Sequence, residues 1–222
     1  MSGAALFHTE MRAAVRSLLL TLMKCSSGAI AASVSGATYT RENGSFVDDH
    51  FTPGDEVEIA GFGADAGDGL AIVRAVDDLT LTLEQPLTSA APSGMITPVT
   101  FTCGLPSGMA WEDVTFSPTD GRPFVSEAFR PISSVARGLG KGGMQAHTSS
   151  ANFVVNYPTE FGAFGAELMA GAMLDLFEPG TQLVYGSSSG TVMAAERKPL
   201  LPAADYIGVP VLVTIVGHTA RI

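Results

Sequence analysis

The chain has 222 residues, of which 46% are hydrophobic and only 15% charged, and its formal net charge is −10. That length buries one substantial core or two small ones, and so low a charged fraction points to large protein interfaces. The acidity excludes a general nucleic-acid footprint, which needs a basic face, and no apolar run approaches the ~20 residues of a membrane-spanning helix.

The charge is also unevenly placed. Residues 41–120 carry fourteen acids against Arg41 and Arg74, whereas the rest of the chain holds eight acids and ten bases. A break that sharp supports two modules. The two cysteines, Cys25 and Cys103, are too few for a disulfide framework and lack metal-ligand spacing, which favours a reducing compartment.

In chain order, the first predicted element is an amphipathic helix over Thr9–Lys24, because Met11, Val15, Leu18, Leu19 and Leu22 recur on one face. The same stretch imitates a signal peptide, but an apolar targeting segment has no reason to be one-sided, and Glu10 and Arg16 interrupt it. Lys24 suits the C-terminal end of the helix dipole, and Ser26, Ser27 and Gly28 suit a stop.

From Ala29 the texture changes. Short β-type runs at Ala37–Arg41, Glu56–Ala60, Leu70–Val76 and Leu79–Glu84 are separated by turn residues such as Pro53-Gly54-Asp55 and Asp77-Asp78, the pattern of a small all-β barrel or sandwich. Leu87–Gly94 and Thr97–Gly108, rich in Pro, Ser and Gly, read as a return linker. The expected organisation is an α+β domain made of residues 1–28 and 106–222, interrupted by an inserted acidic all-β domain over 29–105. Cys25 and Cys103 bracket the insertion. Since the ends of a tolerated insertion lie near each other, they are either unbonded neighbours or two unrelated buried cysteines, and both readings stay open. Trp111 reads as a buried anchor where the main domain resumes.

The second half predicts strands at Pro123–Ile132, Ser150–Tyr157, Thr191–Pro199 and Tyr206–Thr219. In the second of these Ala151, Phe153, Val155 and Tyr157 share one face, while Asn152, Val154 and Asn156 share the other. Pro158 then ends the strand, Thr159 is placed as an N-cap with Glu160 in the first turn, and a helix follows whose apolar arc is Leu168, Met169, Ala172, Met173, Leu176 and Phe177. The fold class is therefore α+β: a mostly antiparallel sheet with two packed helices, interrupted by the β module.

Several phrases sit in that framework: W-x-D-V-x-F-x-P at Trp111–Pro118, G-R-P-F-V-x-x-x-F-R-P at Gly121–Pro131, a Gly-rich hairpin, an alternating strand ending in Tyr157-Pro158, and F-x-P-G-T-x-L from Phe177 to Leu183. Preceded by a helix and followed by a Val-rich strand, this order resembles the tail terminator proteins of long-tailed bacteriophages, of the lambda gpU-like kind, over Thr9–Lys24 and Trp111–Ile222. The resemblance implies a structural virion protein, assembled in the host cytoplasm, that forms a hexameric ring on the finished tail tube. It stops polymerisation at the head-proximal end and offers the surface to which the head docks. Its implied partners are copies of itself, the tail tube protein and a head-completion or connector protein, with genomic DNA passing through the ring without sequence-specific binding. No membrane, cofactor or metal is implied, and no catalysis. The alternative within the class is another neck or tail-tube ring subunit.

Four further motifs carry chemistry or mimic it. Gly186–Gly190 fits G-x-S-x-G around Ser188, with Asp205 and His218 following in hydrolase order; yet Thr191 onward reads as a strand where a nucleophile elbow needs a helix, so serine hydrolysis is the distant alternative. The run from Gly138 to Gly143 mimics a phosphate loop but places Gly142 where Ser or Thr must bind metal. It reads instead as a hairpin tip whose Arg137, Gly138, Gly140, Lys141, Gly142, Gly143 and Met144 form a subunit or tube interface. Asp65, Asp68, Asp77 and Asp78 lack calcium-loop spacing and read as solvated turn acids. His8, His50, His147 and His218 are scattered singly.

Overall fold

The computed structural model describes residues 3–62, 67–87, 97–119, 121–137 and 143–220. Helix α1 (Gly3–Leu19) opens it and lays Phe7, Met11, Val15 and Leu19, all fully buried, on a large sheet. It stops five residues earlier than its apolar pattern predicts. Leu20 N–H still reaches the Arg16 carbonyl, but Thr21 and Leu22 bond only three residues back, so the last turn tightens and the chain leaves in β1 (Met23–Ser35). Lys24 is therefore a strand residue and not a helix terminus.

Six strands close a barrel in the order β1, β2 (Thr38–Arg41), β5 (Thr80–Leu83), β4 (Gly69–Val76), β3 (Glu56–Ala60), β6 (Thr97–Gly104), and back to β1. Closure leaves no strand edge unpaired, which is how so short a set of strands avoids offering a template for aggregation. Tyr39, Phe46, Phe51, Val57, Ile59, Leu81 and Phe101 fill its interior. Thr97–Gly104, expected as part of a linker, is the barrel's closing strand. It pairs with β1 along Ala29↔Thr100 to Ala32↔Thr97 and again at Cys25↔Cys103, with bulges between. Small residues and a broken register hide both strands from any period-2 test.

The other sheet runs β10 (Gln182–Tyr185), β11 (Ser188–Arg197), β13 (Tyr206–Ala220), β9 (Met144–Pro158), β8 (Phe124–Ala136), β7 (Gly108–Ala110), with β12 (Leu201–Pro202) also on β13. Every pairing is antiparallel except β7 with β8. β9 and β13 pair without a break from Tyr206↔Pro158 to Ala220↔Met144. The predicted inner face is the observed one: Ala151, Phe153, Val155 and Tyr157 are all at most 1% exposed.

Both helices cover that face. α2 (Phe164–Leu176) buries Ala166, Met169, Ala170 and Met173, and Phe177 stacks on Phe153 at 5.7 Å between ring centroids. α1 sits where Gly190 and Gly217 face each other across β11 and β13. A Cβ at Gly217 would stand 2.4 Å from the Phe7 ring and one at Gly190 2.7 Å from Met11 Sδ, so the glycines set the depth of the helix. The second helix begins later than Thr159. Thr159 is part of a single 3-10 turn (Thr159–Phe161), and both its N–H and its hydroxyl are spent on the Asp205 carbonyl rather than on a cap. Gly162, at φ 74°, breaks the path before α2 starts. Among the described residues no helix is long and apolar enough to cross a membrane.

Candidate functional site

Barrel and sheet meet at a buried polar cluster. Lys24, on β1, places Nζ 2.5 and 2.7 Å from the two Asp55 oxygens and 2.8 Å from Thr52 Oγ1. Asp55 also accepts the Thr52 N–H at 2.8 Å and the Tyr157 hydroxyl at 2.9 Å, which ties the barrel to the end of β9. Burial, then the Asp55 charge, pushes the Tyr157 phenol far up, so it is a permanent donor here. Cys25 and Cys103 lie directly opposite each other in β1 and β6, both buried and both free thiols. A hydrogen bond donated by the Cys103 thiol to Cys25, and then burial, raise the Cys103 thiol, which suppresses the thiolate that nucleophilic or metal chemistry needs. Cys25, Asp55 and Cys103 bring ligand atoms within 4.8 Å of one another. The carboxylate is nevertheless already saturated by Lys24, Thr52 and Tyr157, and the ammonium fills the cation's place. This cluster is a structural keystone.

A second constellation fastens residues 111–114 to α1. Arg16 Nε and Nη2 lie 2.8 and 2.6 Å from Glu127 Oε2, Nη2 reaches Asp113 at 2.7 Å, and the guanidinium stacks 4.7 Å above the Trp111 ring. Arg12 adds Glu112 at 3.0 Å, and Glu112 in turn accepts the Phe129 N–H. Trp111 is half-buried against the main core, an anchor as its position implies, but held by a cation rather than enclosed.

The histidines are not all solitary. His147 is fully buried, bridges Ser134 at 2.8 Å and Thr219 at 2.7 Å, and stacks on Phe7, while His8 reaches Ser149 at 2.7 Å and meets the His147 ring edge-on at 5.6 Å. Nothing in their spacing of about 140 residues announces this; the β9–β13 register and the seating of α1 create it. Burial first, then the neighbouring His147 for His8 and His218 for His147, lowers both imidazoles below the ordinary histidine range. A lowered folded-state value means the unfolded chain binds the proton more readily, so the stability these neutral rings give is present above about pH 6.5 and lost as the pH falls through the folded values. The urea midpoint is accordingly expected to drop between pH 7.5 and pH 5, and His147→Gln to flatten that dependence.

The hydrolase-like residues are not assembled. Gly186 and Ser187 form the two-residue turn between β10 and β11, with Tyr185 paired to Ser188, so the element is strand, turn, strand. Ser187 donates from its N–H and hydroxyl to Glu10, each at 3.3 Å. Asp205 precedes the first residue of β13 and His218 lies near its other end. Asp68 and Asp77 accept local hydrogen bonds from Phe62 N–H and the Thr80 hydroxyl, and Asp78 accepts one from the Ser45 hydroxyl of a loop 33 positions earlier; Asp65 lies outside the described residues.

Of the predicted interface hairpin, the described part is its base. Arg137 N–H donates to the Met144 carbonyl at 2.7 Å just beyond the Ala136↔Gln145 pair, and Met144 is 52% exposed. Gly143 is described beside it, whereas Gly138, Gly140, Lys141 and Gly142 lie outside the described residues. Large apolar side chains are exposed on both lateral sides of the sheet: Val184, Tyr185, Met193, Leu200 and Leu201 on the β10–β12 side, and Leu20 and Met23 beside the β7 side.

A family model described as phage tail terminator protein matches residues 89–214, from ahead of β6 into β13. No curated protein matches the chain. One solved structure aligns over 51% of this chain and 79% of its own, at 17% identity and a TM-score of 0.43, a likeness too slight to carry an argument. With a family match over more than half its length, on the strands and helix just described, the chain belongs to the phage tail terminator protein family and is a structural component of the virion tail.

Proposed function

We propose that the chain closes into a ring at the head-proximal end of the tail tube, halts tube growth there and presents the surface on which the head docks. The observation that carries this beyond family membership is the simultaneous exposure of apolar side chains on both lateral sides of one sheet. Unlike patches on opposite sides of a subunit make head-to-tail contacts, and such contacts close into a ring when the rotation between copies closes. The reading expects six copies in the ring, with the tube protein and a head-completion protein as the flanking partners. A phage deleted for this chain is expected to make tails of uncontrolled length, with normal length restored by complementation; normal tails in the deletion would sink the reading. A tube subunit would stack end over end, so the purified chain is expected to stop at single rings in negative stain.

The acidic barrel belongs on the outer rim of that ring. Eleven acids against two bases over residues 29–105, repeated around a narrow lumen, would repel one another and the genome passing through it. Ring averages with the barrel density at the inner wall would exclude this placement.

The hairpin from Arg137 to Met144 reaches a neighbouring subunit or the tube. Arg137 and Lys141 supply charge-assisted hydrogen bonds to acids there, and Met144 an adaptable apolar contact. Shortening residues 138–143 is expected to leave the melting midpoint unchanged while abolishing capture of the chain by tail tubes in a pull-down. Undiminished capture would make the hairpin an idle turn.

A further inference from the structure

We propose that the loop 199–204 of one subunit seats in a groove beside the barrel entrance of the next copy, an inference that rests on the ring reading and gives it an interface. Residues 199–205 are all exposed, yet only Asp205 among them is charged, and Leu200 and Leu201 are 40% and 52% exposed. Pro199 and Pro202 flank the two leucines, so this apolar knob is stiff and loses little freedom when it docks. β12 ties it to β13 at Leu201↔Gly208 and Pro202↔Ile207.

The receiving groove, of about 410 Å³, opens where α1 hands over to β1 and β6 to β7. Leu20, Met23 and Leu70 line it while 63%, 61% and 48% exposed, with Met109 beside them. Its walls also hold Glu58 and the buried Glu56. Glu56 Oε2 takes the N–H and hydroxyl of Ser107, but among the described residues Oε1 has no hydrogen bond, and Arg122 Nη1 stands 3.6 Å from it. A half-satisfied buried carboxylate in an apolar groove calls for a donor. Lys198, immediately before the knob, is such a donor. Its present partner, Glu196, is on the surface, where an ion pair is worth little and is exchanged at small cost.

Position within the sheet decides between a second copy and any other occupant. Leu201 pairs with Gly208, Gly208 with Asn156, Asn156 with Phe124 and Phe124 with Gly108, which makes one hydrogen-bonded row across five strands. The knob terminates this row on one side. The groove residues 105–107 and Met109 adjoin its other end, four strand spacings or about 19 Å away. Knob and groove are thus different surfaces at the same level on opposite sides of one subunit, the arrangement a closing head-to-tail contact requires.

The test uses the full chain with Leu20→Glu and Leu201→Glu, both at exposed positions. The wild type is expected to run as an oligomer in light scattering, and each variant alone as a monomer. A one-to-one mixture of the two should give a dimer, because one variant keeps its knob and the other its groove. A second arm, Leu20→Cys with Leu201→Cys in one chain, should give a reducible covalent ladder that neither single cysteine gives. If both glutamate variants keep the wild-type oligomer, or the mixture stays monomeric and no ladder forms, the docking inference is overturned while the ring reading stands. A wild type that is monomeric at every concentration and shows no rings overturns both.

Discussion

Asp55→Ala is expected to destabilise the chain by about 3–5 kcal/mol, because it strands the Lys24 ammonium in a site where that side chain is 1% exposed. The loss also removes the acceptor of the Tyr157 hydroxyl and of the Thr52 N–H. Most of it should return in the double variant Lys24→Met with Asp55→Leu, since a buried ion pair is worth far less against a well-packed apolar pair than against its own broken half. Urea denaturation of the wild type, Lys24→Met, Asp55→Leu and the double measures the cycle, and a double loss equal to the sum of the two single losses would show that the pair is not coupled. The same experiment addresses the domain boundary. We propose that residues 29–105 fold as a module inserted into the chain; cutting the Asp55–Tyr157 tie is then expected to split unfolding into two transitions. A single transition in Asp55→Ala would mean that barrel and sheet fold as one unit.

Arg16→Met is expected to cost about 3 kcal/mol or more for a related reason elsewhere on the same face of the sheet. Glu127 has a fully buried side chain whose Oε1 finds no hydrogen bond among the described residues, so Arg16 at Oε2 is the partner that offsets its burial. Asp113→Asn removes an arm of the same cluster, but that side chain is 52% exposed and the change is expected to leave the urea midpoint nearly where it was. Comparable losses for the two variants would show that the cluster acts through the surface and not through the buried carboxylate. Trp111 fluorescence reports the release of the segment directly, since the guanidinium stacks on its ring.

How much of this the sequence declares depends on where each element's signal resides. The strand from Ser150 to Tyr157 carries its own, with alternate residues buried to 1% or less. The strand over Glu56–Ala60 is legible to the residue, because turn chemistry punctuates both ends. β1 and β6 carry almost none. Their residues are small or polar, and what makes them strands is each other, across a span in which Cys25 and Cys103 alone are 78 positions apart. That pairing also answers the question left open for the two thiols. The local rule puts Lys24 at a helix end, while its true partner is an aspartate in a loop thirty-one residues on. The His8–His147 contact is illegible for the same reason, as is the knob and groove: exposure of leucine is a property of the folded surface, and the row that relates Leu201 to Gly108 exists only once five strands are in register. The fold class and family phrases, by contrast, rest on short-range patterns and were readable.

The seating of α1 has a consequence for how the chain is made. Phe7 and Met11 pack over Gly217 and Gly190, and Glu10 holds Ser187 from 177 positions away. At synthesis rates of about 5–20 residues per second, the ribosome needs roughly 10–35 s between making that helix and making the strands it lies on. During this interval the nascent chain carries an apolar stripe with no native place to put it, while the barrel strands behind it already have all their partners once β6 emerges. The barrel is therefore expected to form first on the ribosome, and holdase chaperones to be engaged by the helix ahead of it until β13 arrives.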